Sequence, residues 1–326
     1  MKSSKFLLTL LLAGLLGSTG IAQAQDSQPT SKPTSRPAGA KKADPGKYPE
    51  GTVKAEEVKI THHAIQAGEV RTESGSFELE MEISVGGQPP MNQVLTKTFE
   101  RKLTVREVAE GKVRLIEIEF TKQLEVMEGS DPTGGVQKQE RGKEVEGKTF
   151  MIERQADGKL VNSDEQGGEV KDLAATRELV QAGWSMFGDG TLGAAVSKET
   201  LKPGASVAVD PKGMKVLLQM PQDDGLDVEI EEFTYRGTRE VAGVKVAVFR
   251  AVFKLAPAEG GAQRGPRMIM EIGGEILISV EGGRVVGMDM AGKMEFLPPA
   301  GGAAGGPAFE GEGVLRIRRT TTIKRP

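Results

Sequence analysis

The stretch Phe77-Glu-Leu-Glu-Met-Glu-Ile-Ser-Val85 decides the fold class, because its apolar and polar residues alternate without a break. Successive side chains of a β-strand point to opposite faces, so the apolar side chains of this stretch share one face. Residues 116–126 alternate in the same way. Their apolar positions are Ile116, Ile118, Phe120, Leu124 and Val126, and their polar positions include Gln123 and Glu125. Both patterns predict long antiparallel strands with one buried face and one face in water.

Turn residues join such strands into two predicted hairpins. With Glu110-Gly111 as a two-residue loop, apolar residues meet on one face of the first hairpin and opposite charges on the other. This register pairs Val105 with Ile116, Leu103 with Ile118, Glu107 with Arg114 and Lys102 with Glu119. The second hairpin closes at Gly282-Gly283-Arg284 as a three-residue loop. It pairs Ile278 with Met288, Ile276 with Met290, Ile272 with Met294, Met270 with Phe296 and Gly274 with Gly292.

One internal similarity is visible. Residues 106–121 align without gaps to residues 239–254, with seven identities in sixteen positions. Either the sheet consists of two related halves, residues 52–165 and 200–326, or two hairpins of similar composition match by chance. The sequence leaves both alternatives open.

Helical periodicity is convincing only at residues 169–187, and Gly188 stands where a C-terminal cap is expected. The predicted apolar stripe consists of Val170, Leu173, Ala174, Val180, Trp184 and Phe187. Gly188-Asp-Gly-Thr-Leu-Gly193 matches the glycine pattern of a dinucleotide-binding loop. These glycines follow a helix, however, and are expected to end it. The predicted fold is mainly β, with a large curved antiparallel sheet, a half-barrel, and one central helix that plugs its open side.

The start of the chain is typical of an exported protein. Lys2 and Lys5 precede the apolar run Phe6–Leu16, and the small residues of Ala22-Gln-Ala24 follow. This is the pattern of a signal peptide that is cleaved near Ala24. An apolar run of about eleven residues is shorter than the about twenty that span a bilayer, so we expect no membrane span. The expected location is the periplasm or the cell exterior.

Domain organisation follows from composition. We expect residues 1–24 to be the signal peptide and residues 25–51, rich in Pro, Ser, Thr and Lys, to be a disordered tether. Residues 52–326 form the predicted all-β domain. The chain has no cysteine and a net charge of −3 from 43 basic and 46 acidic residues, without a basic stripe. We therefore expect neither disulfides nor a nucleic-acid partner.

No constellation of residues predicts catalysis, a metal site or a cofactor. His62 and His63 are the only histidines. Because they are neighbours, they would point to opposite faces of a strand and could not bind one metal together. The many glutamates occupy the polar faces of the predicted strands, where an unreactive, solvated face would place them.

Methionines provide the strongest functional indication. Five of them fall on the apolar face of the second predicted hairpin, and flexible thioether side chains suit surfaces that adapt to apolar partners. The candidate ligand-binding residues are Met268, Met270, Met288, Met290 and Met294, together with Trp184. The alternative is that these methionines form an ordinary core under the helix around Trp184.

The order of elements also resembles that of a loose class of exported, mostly uncharacterised all-β bacterial proteins. The matching stretches are Ile65-Gln-Ala-Gly-Glu69, Leu201-Lys-Pro-Gly-Ala205, Gly274 to Val286 and Thr320-Thr-Thr-Ile323. The architecture is similar to that of periplasmic lipoprotein carriers, and this similarity implies a curved sheet around helices and an apolar cavity. It supplies no functional residues.

Three functions follow as hypotheses. The first is a non-catalytic binding or carrier protein for an apolar small molecule, a lipid or a protein segment. The second is an envelope scaffold or protein-interaction module. The third, a hydrolase, lacks an identifiable site.

Overall fold

Alternating apolar and polar residues form β-strands along most of the chain, as the sequence predicts. The structure, a computed structural model, describes residues 52–85, 90–130, 135–156, 159–188, 190–218, 226–258, 267–297 and 309–326. The predictions for residues 1–51 lie outside these ranges. The first strands in chain order are β1 (Val58–Lys59), β2 (Thr61–His62), β3 (Val70–Val85), β4 (Met91–Ala109), β5 (Lys112–Ser130), β6 (Val136–Arg141), β7 (Thr149–Arg154) and β8 (Leu160–Asp164). The later strands are β9 (Thr200–Leu201), β10 (Leu226–Val241), β11 (Val244–Pro257), β12 (Arg267–Ser279), β13 (Glu281–Gly282), β14 (Val285–Leu297) and β15 (Phe309–Lys324).

One large antiparallel sheet contains eleven of these strands. Its order is β10-β11-β12-β14-β15-β3-β4-β5-β7-β8, and β6 also pairs with β5. Since β15 pairs with β3, the C-terminal strands continue directly into the N-terminal ones. The short strands form two small sheets, β1 with β9 and β2 with β13. The large curved sheet of the prediction is therefore confirmed. Whether its two halves are related by duplication stays a prediction.

The first hairpin, β4 and β5, turns at the predicted place. Glu110 and Gly111 have φ angles of 51° and 72°, which suit a two-residue hairpin loop. Val105 pairs with Ile116, Leu103 with Ile118 and Lys102 with Glu119, as predicted. Bulges near the loop place Leu115 opposite Glu107, so the predicted partner Arg114 is wrong. The Arg114 and Glu107 side chains still form an ion pair, at 3.0 Å.

A bulge further along β5 overturns part of the predicted face. Arg101 pairs with Phe120, but Glu100 pairs with Lys122, so Thr121 is an extra residue in β5. Beyond it, side chains that pointed to one face point to the other. Gln123 and Glu125 are consequently buried on the face that holds Phe120. The prediction that Leu124 and Val126 share that face is wrong, because simple alternation takes no account of an inserted residue.

The second hairpin, β12 and β14, has the predicted faces and a different register. Ser279 N–H donates to Arg284 O at 2.8 Å, so residues 280–283 form a longer loop than predicted. Its centre is strand β13, which pairs with β2. With a bulge at Leu277 and Ile278, every predicted pair is wrong: Ile278 pairs with Val285, three residues from its predicted partner, and the other β12 residues pair two residues from theirs. The observed pairs are Ile276 with Met288, Gly274 with Met290, Ile272 with Gly292, Met270 with Met294 and Met268 with Phe296.

The internal similarity covers parts of two hairpins. Strands β10 and β11 turn at Ala242 and Gly243, whose φ angles are 49° and 78°. The gapless alignment places this turn one residue away from Glu110-Gly111. The match between the two segments therefore includes a shift at the turn.

Three helices occur in the described part of the chain, where the sequence predicted one. They are α1 (Leu173–Gly188), α2 (Gly190–Val196) and α3 (Pro211–Leu217). Helix α1 ends at Gly188, as predicted, but the glycines that follow, Gly190 and Gly193, lie within a second helix, α2, which the sequence did not predict. A Cβ at Gly193 would lie 2.3 Å from Gly283 O, so a close backbone approach requires glycine there. Within the described ranges, no helix has the length and apolar character needed to cross a bilayer.

Helix α1 is rotated relative to the predicted stripe. It begins at an Asp172 cap, whose Oδ1 accepts from Ala175 N–H at 2.7 Å. Its buried apolar residues are Ala175, Leu179, Ala182 and Met186, whereas Leu173 of the predicted stripe is 67% exposed. Val170 and Phe187 of the predicted stripe do pack, partly buried, against the core, but between them the buried face is shifted and includes the charged Glu178.

Candidate functional site

Antiparallel pairing arranges residues in rows across the sheet. We call the face on which α1 packs the inner face. One row of inner-face partners runs from Met270 of β12 through Met294, Gly313 and Met81 to Gln93 of β4. The adjacent row contains Ile272, Gly292, Leu315, Leu79 and Leu95. These two rows cross β12, β14, β15, β3 and β4, which brings residues of both chain halves together.

All five predicted methionines lie on the inner face and are buried, with exposed fractions of 8% or less. Met288 and Met290 lie towards the middle of the sheet, opposite Arg319 and Ile317 of β15. The other three cluster at one end of the sheet with residues from β3 and β4. We call this group the methionine end: Met81, Met91, Met268, Met270, Met294 and Phe296. The side chain of Trp184 lies outside the described part of the chain, so its predicted place in the site stays a prediction.

Two glycines remove side chains from the middle of the methionine end. Gly311 and Gly313 of β15 both belong to its inner face. A Cβ at Gly313 would lie 3.2 Å from Met81 Cγ and 3.3 Å from Met294 Cε. Methionine side chains from β3 and β14 therefore pack against the glycine from both sides. The Cβ would also lie 2.7 Å from Glu80 O, so the close backbone of β3 favours glycine as well.

A polar residue completes this row. Gln93 is only 4% exposed and lies beside Met81. Its other neighbour in the row is Gly129 of β5, whose Cβ would lie 3.3 Å from Gln93 Cγ and 3.7 Å from its Nε2. In the part of the chain that the structure describes, Gln93 Oε1 has no hydrogen-bond partner. The methionine end thus contains a buried amide with an available acceptor.

A charged band borders the methionine end towards α1. Lys97 Nζ of β4 donates to both carboxylate oxygens of Glu178, at 3.0 and 2.7 Å, and to Gln181 Oε1 at 2.8 Å. Gln123 Nε2 donates to Glu178 Oε2 at 2.6 Å. Arg177 Nη2 of α1 contacts Glu125 Oε2 at 3.2 Å. The inserted residue in β5 creates this band, because it turns Gln123 and Glu125 towards the helix.

Buried arginines extend the charged band along β3 and β15. Arg101 donates to Glu73 Oε2 through Nε and Nη2, at 2.9 and 2.7 Å. Burial acts to raise the pKa of Glu73, but the charges of Arg101, Arg319 and Arg71 and the Arg101 hydrogen bond outweigh burial and lower this pKa. Glu73 is therefore a firmly ionised carboxylate inside the sheet.

A second buried pair lies beside the first. Arg71 donates to Glu69 Oε1 at 2.9 and 2.8 Å. Arg284, from the loop of the second hairpin, lies 3.8 Å from Glu69 Oε2 and donates to His63 O at 2.7 Å. The charges thus connect the sheet to the segment before β3.

Beyond the charged band, α1 covers a core of branched and aromatic side chains. Phe120 and Phe150 pack edge to face, with ring centroids 6.1 Å apart. We call this group the helix-covered end: Leu103, Val105, Val113, Ile116, Ile118, Phe120, Val145, Phe150, Ile152, Ala175, Leu179, Ala182 and Met186. From Leu103 to Met91, strand β4 advances roughly 40 Å. The inner face therefore has two apolar ends with a charged band between them.

Histidines and carboxylates are the remaining candidates for chemistry, and their contacts are as follows. Among the described residues, no group of three or more His, Asp or Glu side chains is placed to hold a metal ion. His62 pairs with Gly282 in a short parallel sheet, and His63 is exposed. The carboxylates of the inner face are engaged by Lys97 and by arginines.

Sequence reasoning missed the contributions of β3, β4 and β15 to the site. The sequence predicted Met81 only as a strand residue, and it did not predict a role for Gln93. The sequence Gly311-Glu-Gly313 could have predicted part of the site, because alternate glycines in a strand leave one face without side chains. Only the pairing of β15 with both β14 and β3 brings these residues next to the methionines.

Comparisons with known proteins give weak similarities. No family model and no curated protein matches this chain. Lipovitellin, in a structure of its lipid–protein interactions, has a TM-score of 0.34 and 9% identity over 79% of this chain and 26% of its own. This chain therefore spans about a quarter of the lipovitellin chain. An outer membrane channel from Pseudomonas putida F1 has a TM-score of 0.20 and 9% identity, over 80% of this chain and 98% of its own.

The translocator domain of the autotransporter NalP from Neisseria meningitidis also has a TM-score of 0.20, with 11% identity over 80% of this chain and 90% of its own. All three are proteins with much β-structure. Every TM-score is below 0.5, so the functional argument rests on the site alone.

Proposed function

We propose that this chain is an exported, non-catalytic binding or carrier protein that takes an apolar ligand at the methionine end. One observation carries the proposal: methionines from four strands surround two glycines on one face of the sheet. Methionine has three rotatable bonds and a polarisable sulfur, so these side chains can move aside and repack around a guest. Branched side chains of the helix-covered end have fewer rotamers and suit a fixed core.

Export rests on the N-terminal pattern of Lys2, Lys5 and the apolar run that follows. A protein that carries an apolar molecule through an aqueous compartment needs a protected face for it, and the methionine end supplies one. The proposal requires no metal ion, and no group of three or more His, Asp or Glu side chains among the described residues is placed to hold one.

Uptake of a fluorescent lipid probe tests the proposal. We compare the parent protein with the double variant Met270→Gln, Met294→Gln. These residues pair across β12 and β14, so the two new amides can bond to each other and the fold should survive. An amide pair is much less favourable for an apolar chain, and we expect probe affinity to fall at least about tenfold, equivalent to about 1.4 kcal/mol.

The matched control is Met151→Gln. Met151 pairs with Glu117 on the opposite face of the sheet and is half-buried. It should leave probe uptake unchanged. The proposal is wrong if the parent protein takes up no probe, or if the double variant is folded and binds the probe as well as the parent does. The methionines would then be an ordinary core.

A further inference from the structure

Gln93 has a hydrogen-bonding capacity that the protein does not use within the described residues. Its side chain is almost completely buried, yet Oε1 has no partner there. Buried polar atoms are nearly always hydrogen-bonded in native proteins, because an unsatisfied one destabilises the fold. An apolar residue at this position would avoid that cost. The retained glutamine therefore calls for an explanation outside the fold itself.

Gln93 lies next to the methionine end, and its own side chain packs over the backbone of Gly129. Met81 lies on one side in the row, and Gly129, without a side chain, lies on the other. Gln123 Oε1 also has no partner among the described residues, but the Gln123 side chain lies beside Glu178 and not beside the methionines. Its Nε2 donates to Glu178 at 2.6 Å, so that amide belongs to the charged band.

We propose that Gln93 is the polar contact for the ligand, and that the ligand is a lipid with a hydroxyl group on a long apolar chain. This inference rests on the proposed function. A hydroxyl can donate to Oε1 and accept from Nε2, so it matches both atoms of the amide. The apolar chain would extend from Gln93 past Met81 and over Gly313 as the methionines move aside.

The electrostatics favour an uncharged head group. The nearest charged residue on the inner face of β4 is Lys97, about 13 Å further along the strand. Lys97 already binds Glu178 and Gln181. A charged head group at Gln93 would therefore be buried among apolar side chains without a counter-charge, which is strongly unfavourable.

Two ligands that differ only in the donor provide the test. 1-Dodecanol and 1-methoxydodecane each compete with the fluorescent lipid probe, and the ether lacks the O–H donor. The parent protein should bind the alcohol about tenfold more tightly, as expected when a buried acceptor gains a donor. The nearly isosteric variant Gln93→Met should bind both with similar affinity, close to that of the parent for the ether.

The control variant is Gln181→Met, which removes an amide that already accepts from Lys97. It should keep the tenfold preference for the alcohol. Thermal unfolding of the ligand-free proteins adds a second measurement: Gln93→Met should unfold at the same or a higher temperature, because it removes an unsatisfied group. Equal binding of both ligands by the parent, a preserved preference in Gln93→Met, or a marked loss of thermal stability in that variant would overturn the inference. Binding of neither ligand by the parent would overturn the proposed function with it.

Discussion

The two apolar ends of the inner face obey the same strand alternation but differ in the side chains they use. The helix-covered end contains Leu, Ile, Val and Phe side chains packed under α1. The methionine end contains flexible thioethers, two glycines and a buried amide. Both ends are sheltered from water, so burial alone does not distinguish a core from a binding surface. The two ends differ instead in the flexibility of their side chains.

The charged band explains how two such different regions share one sheet. Between the two ends, buried Glu73 pairs with buried Arg101, and the partly buried Lys97 pairs with buried Glu178. A ligand chain that entered the methionine end would meet these charges before it reached the helix-covered end. We infer that the band limits an apolar guest to one end of the inner face.

The largest expected effect concerns this band. Glu73→Gln removes the carboxylate that Arg101 binds, and breaking a buried ion pair in this way costs about 3–5 kcal/mol of unfolding free energy. Denaturant unfolding measures the loss. The control is Glu117→Gln, which removes the partner of Arg106 in a partly exposed pair at 2.6 Å and should cost less than about 1 kcal/mol.

The pH dependence of stability sharpens the same comparison. Because the pKa of Glu73 is lowered in the folded protein, its contribution is present above the unfolded pKa of about 4.5 and is lost as the pH falls. The parent should therefore lose more stability than Glu73→Gln when the pH falls below that value. Two results would show that Glu73 does not stabilise the charged band. One is the same loss of stability at low pH in the parent and in Glu73→Gln, and the other is a similar loss of unfolding free energy in Glu73→Gln and Glu117→Gln.

A smaller effect separates the two apolar ends. Ile118→Ala in the helix-covered end should cost about 3–4 kcal/mol, because rigid neighbours leave a cavity. Met294→Ala should cost about 2 kcal/mol or less, since Met81 and Met270 can relax into the space. Urea unfolding measures both losses of unfolding free energy, and an unchanged m-value shows that the two variants unfold to the same extent as the parent. Equal costs would mean that the methionine end is packed as firmly as the core.

Much of the fold could be predicted from local patterns. Alternation at 77–85 and the Glu110-Gly111 turn predicted strands, faces and one register, because these depend on neighbouring residues. The bulge at Thr121 and the longer loop before Arg284 depend on tertiary contacts, and they changed a face and a register that alternation alone had predicted. The rotation of α1 was missed for the same reason, since Glu178 is buried only because Lys97 and Gln123 receive it.

The candidate site was predictable in one half only. The five methionines of the second hairpin share a face because of their even spacing, which the sequence displays. Met81, Gln93 and Gly313 join them through the pairing of β15 with β3, which connects residues more than 200 positions apart. No local pattern encodes that contact.

The central claim, that the methionine end yields to an apolar ligand while the helix-covered end does not, is tested most directly by NMR of the protein labelled with ¹³C at the methionine methyl groups. Single Met→Leu variants assign the signals. Addition of 1-dodecanol should shift the signals of Met81, Met270 and Met294 and leave that of Met186, on the buried face of α1, in place. Unchanged signals at the methionine end, or equal shifts for Met186, would contradict the account.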